Sequence, residues 1–401
     1  IDFTNNQRIL TLIYNCRAAK PILRMSFGCC TGTIARELEA IQLAAIRPSR
    51  HLHRSPKGGY TMKLTSILSL SAAVSALIAS AAFAQTELTV YTAVESEDLA
   101  RYAETFNQDH PDIKINWVRD STGVITAKLL AEKNNPQADV VWGLAATSLL
   151  VLKTEGMLEP YAPAGLDKLD PKFRDSDNPP SWVGMDAWVA SICFNTVEGG
   201  KLGLAAPTSW MDLTKPEYAG HVVMPNPASS GTGFLDVSSW LQIFGEEEGW
   251  AYMDGLHANI AAYTHSGSKP CRMAGSGETV IGVSFAFRGA KSKAEGAPID
   301  IIVPSEGIGW DMEATAIIAG TANEEAAKTL VDWTVTHKAM EMYNVGYAVV
   351  AIPGIAKPVE HFPEGITDAM IDNDFEWAAN NRAKILEEWT KRYDTKSEPK
   401  G

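Results

Sequence analysis

Short segments of alternating apolar and polar residues run through the chain from residue 85 onwards, and most are followed by segments with helical spacing. Residues 113–118 alternate as a half-buried strand, whereas residues 97–107 place Leu99, Tyr102 and Phe106 on one helix face. Strands and helices that alternate along the chain in this way predict βαβ units and a mostly parallel sheet. The pattern predicts strands at 87–92, 113–118, 138–142, 221–224, 280–285 and 299–303, and helices at 97–107, 125–133, 233–243, 323–337 and 371–391.

These elements form two blocks, and two apolar runs are placed to connect them. The run 187–194 lies after Asn178-Pro179-Pro180 and can cross from the first block to the second, and the run 313–319 can cross back. Two α/β lobes joined by two crossings predict a clamshell with a ligand cleft at the carboxyl ends of the strands. We place the N-terminal lobe at 85–185 and 305–345, and the C-terminal lobe at 186–304 and 346–396.

The segment before the first block has the features of a secretory signal. Met62-Lys63 opens a short basic region, residues 64–78 are apolar, and Ala82-Phe83-Ala84 places small residues where a signal peptidase cleaves. We expect a signal peptide at 62–84, cleaved before Gln85, and a periplasmic protein; the alternative is an uncleaved signal anchor. Residues 1–61 hold three of the five Cys and do not fit a signal peptide, so we interpret them as a non-native, disordered upstream leader.

The charge distribution argues against nucleic acid as a partner. The formal net charge is -13, but residues 1–84 carry ten Lys or Arg and only three Asp or Glu. The part after the predicted cleavage site therefore carries about -20, which phosphate backbones repel. Two cysteines remain in it, Cys193 and Cys271, and an oxidising compartment allows either a disulfide or two buried thiols.

Three polar loops are candidates for ligand binding. Residues 120–123, 225–233 and 265–270 are rich in Ser, Thr and Gly, and the first two each join a predicted strand to a predicted helix. Such loops place hydroxyls and free backbone N–H groups at the positive end of a helix, which suits phosphate, phosphonate, sulfate or carboxylate. The alternative is ordinary N-capping, which favours the same residue types.

Catalytic motifs are weak by comparison. Ser266-Gly267-Ser268-Lys269 matches S-x-x-K, but Pro270 follows at once and the companion motifs are missing from the sequence. The sequence also lacks a G-x-S-x-G elbow, a Walker A loop, H-E-x-x-H and His residues at metal-ligand spacing. We therefore expect a binding protein rather than an enzyme, without a cofactor or a metal; a secreted hydrolase is the alternative.

Aromatic and acidic side chains near the predicted strand ends suggest a cation site beside the polar loops. An ammonium group can lie over aromatic rings and pair with a carboxylate. Each aromatic residue has an alternative place in an ordinary core. The aromatic candidates are Tyr91, Trp142, Phe285 and Trp310, and the acidic candidates are Glu95, Asp311 and Glu313.

Five longer stretches carry a family resemblance. They are residues 117–123 (WVRDSTG), 137–147 (QADVVWGLAAT), 224–233 (MPNPASSGTG), 263–271 (YTHSGSKPC) and 309–317 (GWDMEATAI). On these stretches the chain resembles the substrate-binding proteins of bacterial ABC importers with a type II periplasmic binding fold, and within them the branch that binds 2-aminoethylphosphonate. The same superfamily includes iron(III), thiamine and polyamine binders. Its iron sites use adjacent tyrosines, whereas residues 341–344 here contain only Tyr343, which argues against ferric iron.

The resemblance implies a two-lobed α/β protein, a monomer, that binds an aminoalkylphosphonate and delivers it to an ABC permease. Binders of iron(III), polyamine, thiamine or a phosphate ester are the alternatives. It implies that hydroxyls and N–H groups bind the phosphonate, that a carboxylate binds the amine and that aromatic rings wall the cleft. The residues so assigned are Ser121, Thr122, Ser229, Ser230, Gly231, Thr232, Ser266 and Ser268 for the phosphonate, Glu313, Asp311 or Glu95 for the amine, and Tyr91, Trp142 and Trp310 for the walls.

Overall fold

The computed structural model describes residues 85–399, so the predicted leader at 1–61 and signal peptide at 62–84 lie outside the described residues. The described strands are β1 (Thr86–Thr92), β2 (Ile113–Arg119), β3 (Val140–Ala145), β4 (Leu158–Glu159), β5 (Val183–Asn195), β6 (Val222–Pro225), β7 (Ile260–Thr264), β8 (Ile281–Phe285), β9 (Ile299–Ile302), β10 (Trp310–Ile318) and β11 (Val349–Val350). The described α-helices are α1 (Leu99–Asn107), α2 (Thr122–Ala131), α3 (Ala146–Thr154), α4 (Thr196–Leu202), α5 (Gly231–Phe244), α6 (Glu246–Asn259), α7 (Lys269–Ser276), α8 (Ala286–Ala294), α9 (Glu324–Thr334), α10 (His337–Tyr343) and α11 (Phe375–Tyr393).

The strands are ordered β2-β1-β3-β10-β5-β8-β6-β7, with β4, β9 and β11 added beside this path. In the first sheet β1 runs parallel to β2 and β3, and in the second sheet β6 runs parallel to β7 and β8. The two sheets share β5, whose first half pairs with β10 and whose second half pairs with β8 and β9. We call the part of the molecule around each sheet the first and the second lobe.

This is the predicted α/β fold, with one difference in strand direction. The pairs β10–β3, β10–β5 and β5–β8 are antiparallel, so the sheet is mixed and not mostly parallel. The predicted crossing run 187–194 lies inside β5, in which all 13 residues are buried. A strand that is covered on both faces does not alternate between apolar and polar residues, so its sequence is a continuous apolar run. The lobe boundaries given above remain a prediction.

A disulfide joins β5 of the second sheet to α7. Cys193 and Cys271 are bonded, with their Cα atoms 5.3 Å apart, and both side chains are fully buried. Of the two alternatives that the sequence left open, the structure has the disulfide. It fixes the start of α7 against the strand that the two lobes share.

Aromatic side chains form much of the core of the first lobe. Trp142 is completely buried, and its ring lies 5.4 Å from Tyr102 and 5.8 Å from Trp333, measured between centroids. Its indole N–H donates to the hydroxyl of Tyr343 at 3.1 Å, which satisfies the one polar atom of the ring. Between residues 85 and 399, the structure contains no helix with the length and apolar character that a membrane span requires.

Candidate functional site

A cavity of about 520 Å³, open solvent included, lies between the two lobes. It is lined by loops and strand ends from both sheets, as expected for a cleft at the carboxyl ends of the strands. Nine of the fourteen predicted ligand residues line it: Glu95, Ser121, Thr122, Ser230, Gly231, Thr232, Ser266, Ser268 and Glu313.

Five α-helices begin at residues that line this cavity. The residues immediately before the helices are Ser121 for α2, Ala145 for α3, Ser230 for α5, Ser268 for α7 and Phe285 for α8. The first N–H groups of a helix lack acceptors within that helix, and the helix dipole makes this end positive. Several such ends around one cavity are an arrangement that suits an anionic group.

Hydroxyl groups complete the donor set, and local hydrogen bonds fix the loops that carry them. Ser230 Oγ accepts from the N–H of Gly233 at 3.3 Å, and the hydroxyls of Ser266 and Ser268 lie 3.0 Å apart. Gly267, between those two serines, accepts at its carbonyl from the hydroxyl of Ser284 at 2.7 Å. The loop residues are therefore held in place before any ligand arrives.

Arg119, at the end of β2, also lines the cavity. Its Nε donates to the carbonyl oxygen of Val94 at 3.0 Å, which holds the half-buried side chain in place. Among residues 85–399, no carboxylate pairs with its guanidinium, in contrast to Arg272 and Arg288 nearby. Arg119 is therefore a cation available to an anionic ligand, and its planar N–H groups can bind two oxygens at once.

Glu313 supplies an acidic group to the same cavity. Its side chain belongs to β10 and is 8% exposed, and its Oε1 accepts from the hydroxyl of Tyr347 at 3.1 Å. Its Oε2 is buried and has no hydrogen-bond partner among the described residues. Burial raises the pKa of Glu313 to about 8; the hydrogen bond from Tyr347 opposes the shift, and the charges of Asp98 and Glu95 add to it.

Glu95 belongs to an ion cluster at the edge of the cleft and is not free for a ligand. Its Oε2 lies 3.0 Å from Arg272 and 3.1 Å from Arg288, both in the second lobe. Glu97 is 2.8 Å from Arg288 and 2.9 Å from Lys291. Burial raises the pKa of Glu97, but hydrogen bonds from Lys291 and Arg288 outweigh that effect and lower it to about 2. The cluster links the lobes by charge.

Direct contacts also join the lobes across the cavity. The N–H of Gly123, in α2, donates to the carbonyl oxygen of Ser229 in the second lobe at 2.9 Å. A Cβ at Gly123 would lie 2.2 Å from the carbonyl oxygen of Ala228, and one at Gly231 would lie 2.6 Å from Thr122 Oγ1. These glycines let the two loops approach each other, so the structure is a closed form.

Three of the predicted residues lie in the cores of the lobes instead of the cavity. Tyr91 is 2% exposed and its hydroxyl donates to Glu132 at 2.9 Å. Trp142 is enclosed by the aromatic cluster of the first lobe. Trp310 packs on Phe375 at 4.8 Å between ring centroids and donates to the carbonyl oxygen of Ile371. In the structure, these three aromatic side chains occupy core positions, which was the alternative to a place in the cleft.

The other two predicted residues that lie outside the cavity have protein partners. Asp311 accepts from the hydroxyl of Thr147 and from the N–H of Met312, each at 2.7 Å, and is 2% exposed. Burial raises its pKa to about 6, against the effect of those hydrogen bonds. The hydroxyl of Ser229 faces Nδ1 of His265 at 3.2 Å.

Three polar or aromatic side chains that line the cavity are not among the candidates predicted from the sequence: Arg119, Trp188 and Tyr347. Arg119 stands inside the stretch WVRDSTG, directly before a predicted anion loop, and that position was the available signal. Trp188 is the only aromatic residue of β5 before Phe194 and forms an edge-to-face pair with Phe285, 6.2 Å between centroids. Tyr347 reaches Glu313 from a distant part of the chain. Among the described residues, no group of three or more His, Cys, Asp or Glu side chains is arranged to hold a metal.

The segment 394–399 connects two of the polar loops, 225–233 and 265–270, both in the second lobe. Ser397 Oγ accepts from the side-chain amide of Asn226 at 2.9 Å. The carboxylate of Glu398 accepts from the N–H of His265 at 2.6 Å and forms an ion pair with Lys269. Its own N–H donates to the carbonyl oxygen of Tyr263 at 2.9 Å. Glu398 thus holds the loop that carries Ser266 and Ser268 without touching the cavity.

We expect Glu398→Ala to weaken binding of any anionic ligand of this cavity about tenfold, because it removes a charge-assisted hydrogen bond that positions the loop. Calorimetric titration measures the loss. Glu398→Gln, whose amide oxygen can still accept from His265, should recover part of it, and Glu387→Ala on the exposed face of α11 is the control. Equal affinity of all three variants would contradict a positioning role for Glu398.

Comparison with known proteins agrees with this architecture. A profile of bacterial extracellular solute-binding proteins matches residues 135–376. A Haemophilus influenzae protein is 31% identical over 341 residues, which cover 82% of this chain and 98% of that protein. A Sinorhizobium fredii protein named as an ABC transporter periplasmic-binding protein is 30% identical over 310 residues, with coverages of 74% and 82%.

Two further comparisons concern ligands. The structure of the periplasmic binding protein AfuA from Actinobacillus pleuropneumoniae, with fructose-6-phosphate bound, is similar with a TM-score of 0.73 at 30% identity; the match covers 77% of this chain and 99% of that one. A Salmonella typhimurium periplasmic protein named for 2-aminoethylphosphonate binding is 24% identical over 227 residues, with coverages of 55% and 63%.

Proposed function

The chain belongs to the bacterial extracellular solute-binding proteins, and we propose that it captures 2-aminoethylphosphonate or a related aminoalkylphosphonate and delivers it to an ABC permease. One observation carries the proposal. A single cavity holds the positive ends of five helices and an unpaired arginine together with a buried carboxyl whose second oxygen has no partner among the described residues. The proposal includes export, with the signal peptide at 62–84 removed before Gln85.

The anion end of the cavity supplies donors for the phosphonate. A dianionic group with three oxygens needs several donors. Thr122 and Thr232 offer both hydroxyls and N–H groups of a helix start, and Ser230 offers its hydroxyl. Arg119 adds charge-assisted donors and neutralises part of the negative charge. The acidic surface repels an anion at long range, but screening limits that repulsion to about 8 Å at physiological salt.

The ammonium group of the ligand needs an acceptor. Glu313 reaches the same cavity, and its unpartnered Oε2 can accept from an ammonium group. Trp188 and Phe285 line the cavity as well, so that the alkyl chain and the ammonium of the ligand would have aromatic surface beside them. The donors therefore suit the phosphonate, the aromatic rings suit the short alkyl chain, and the carboxyl of Glu313 suits the ammonium.

A hexose phosphate is the second candidate, and a specific observation favours it. The similar protein AfuA was solved with fructose-6-phosphate bound. The anion end of the cavity suits a phosphate ester as well as a phosphonate, and a protonated Glu313 can donate to a sugar hydroxyl. The two candidates differ only in what Glu313 binds, so a variant of that residue separates them.

We expect Glu313→Gln to weaken 2-aminoethylphosphonate about tenfold while changing the affinity for ethylphosphonate less than twofold, because only the first ligand has a cation to lose. Calorimetric titration of both ligands and of fructose 6-phosphate makes the comparison. Asp311→Asn, the same change two residues away and outside the cavity, is the matched control. If Glu313→Gln kept the preference for the aminated ligand, or if fructose 6-phosphate bound most tightly to the wild type, the aminoalkylphosphonate proposal would be wrong.

A further inference from the structure

Asp186 lies behind Glu313 and takes no part in the ligand contacts proposed above. It is on β5, and its register partner on β10 is Glu313, so the two side chains project from the same face of the sheet. Directly opposite residues of an antiparallel pair have their Cβ atoms about 5 Å apart. Asp186 is completely buried, and Glu313 is 8% exposed. The buried carboxyl of Asp186 therefore lies next to the carboxyl of Glu313, which lines the cavity.

These carboxyls lack the partners that ionised groups require. Neither oxygen of Asp186 has a hydrogen-bond partner among the described residues, and the same holds for Glu313 Oε2 and for the hydroxyl of Tyr102. Two buried, unpaired carboxylates side by side would carry both the cost of desolvation and their mutual repulsion. A neutral pair avoids both penalties; in other proteins two carboxyls at short distance hold at least one proton, because both cannot ionise together.

The charged groups around the pair do not remove the need for protons. Asp98 and Arg101 of the α1 region face it, but they pair with each other at 2.7 Å. Glu95 is occupied by Arg272 and Arg288, as described above, and its charge is repulsive to Glu313. The charge of Arg119 favours ionised Glu313, but among the described residues Arg119 forms no ion pair with it.

Phenol groups complete the surroundings of the pair. Tyr102 from α1, Tyr343 from α10 and Tyr347 all lie within electrostatic reach of both carboxyls. Burial raises the pKa of each of these tyrosines well above its usual value, so they stay neutral hydrogen-bonding groups. Burial likewise raises the pKa of Asp186, and the neighbouring Glu313 adds to the shift.

We propose that Asp186 and Glu313 form a protonated carboxyl pair in the empty protein, and that capture of an amine-bearing ligand releases one proton from Glu313 to solvent. This rests on the proposed function for the identity of the ligand. The ligand enters with its amine already protonated, the O–H bond of Glu313 breaks, the proton passes to water, and the carboxylate pairs with the ammonium. Asp186 keeps its proton and can donate it in a hydrogen bond to the new carboxylate, which makes it a positioning residue.

The coupling has a consequence for pH dependence with a definite sign. The bound state holds ionised Glu313 and the empty state holds the protonated form, so the empty protein binds more protons. Affinity for the aminated ligand should therefore fall as the pH falls below the raised pKa of Glu313, by about tenfold per pH unit. Ionisation of the phosphonate contributes equally in the wild type and in Glu313→Gln, so the ratio of their affinities for 2-aminoethylphosphonate isolates this effect.

Two measurements test the two halves of the proposal separately. In the empty wild-type protein at pH 7, infrared difference spectra against Asp186→Asn and against Glu313→Gln should each show the C=O stretch of a protonated carboxyl. Absence of either band would overturn the pair, whatever the ligand is. Calorimetry in Tris and in HEPES, whose ionisation enthalpies differ, counts the protons that binding releases.

On binding 2-aminoethylphosphonate, the wild type should release about one proton more than Glu313→Gln does. Asp186→Asn should release as many protons as the wild type, because an asparagine resembles a carboxyl that keeps its proton. Tight binding of the aminated ligand with an equal proton count in the wild type and in Glu313→Gln would refute the coupling and leave the proposed function intact. Failure of 2-aminoethylphosphonate to bind at all would refute the proposed function and, with it, the release step, while the infrared bands would still decide the pair.

Discussion

Replacing Gly123 by alanine is expected to weaken ligand binding about a hundredfold. Overpacking costs roughly 1–3 kcal/mol, and a hundredfold loss of affinity lies near the upper end of that range. The new Cβ would stand 2.2 Å from the carbonyl oxygen of Ala228 and 2.8 Å from the backbone carbon of Ser229, both across the cleft. Backbone atoms cannot turn away as a side chain can. The lobes would therefore be held apart, and the hydrogen bond from Gly123 to Ser229 would be lost with the closed form.

The measurement for Gly123→Ala combines affinity, thermal unfolding and small-angle scattering. Affinity should fall and the ligand should no longer reduce the radius of gyration, while the melting temperature of the empty protein should change little, because an open cleft accommodates the methyl group. Gly200→Ala is the matched control, since Gly200 lies in α4 and a Cβ there meets nothing within 4 Å. Wild-type affinity in Gly123→Ala would contradict closure at this contact.

Replacing Arg119 by glutamine is expected to weaken phosphonates and phosphate esters alike, also by about a hundredfold, because two charge-assisted hydrogen bonds of about 1.5 kcal/mol each disappear. No other cation that lines the cavity among the described residues can replace it. Arg119→Lys should recover only part of the loss, since an ammonium cannot bind two oxygens in one plane.

Calorimetric titration with 2-aminoethylphosphonate and with ethylphosphonate measures the effect of Arg119→Gln. The loss should be the same for both ligands, in contrast to Glu313→Gln, which should affect only the aminated one. Lys114→Gln is the control on the same strand, because Lys114 pairs with Glu87 on the exposed surface. Unchanged affinity in Arg119→Gln would mean that the anion lies elsewhere.

The anion end of the site could be predicted from sequence because its signals are local. Ser121 and Ser230 are followed at once by the helices they precede, and a small hydroxyl residue after a strand is a recognised helix start. The same argument found the fold class, because strand and helix patterns repeat along the chain. In both cases a few neighbouring residues contain the information.

The remaining parts of the site depend on contacts between distant segments. Tyr347 bonds to Glu313 across 34 positions, and nothing in the sequence near either residue predicts that pair. Trp142 and Trp188 both lie on fully buried strands, where alternation is missing, so the sequence could not show that one faces a core and the other the cavity. Asp311 and Glu313 look equivalent in sequence, but in the structure Asp311 lies outside the cavity and accepts from Thr147, whereas Glu313 lines the cavity.

The cleft should recognise its small-molecule ligand through a phosphoryl group. Calorimetric titration of the wild-type protein with 2-aminoethylphosphonate, and in the same series with spermidine, tests this, since spermidine carries amines and no phosphoryl group. One equivalent of 2-aminoethylphosphonate should bind with a dissociation constant of about 1 μM or tighter, and spermidine should give no heat of binding. If spermidine bound and no phosphonate or phosphate ester did, recognition through a phosphoryl group would be wrong.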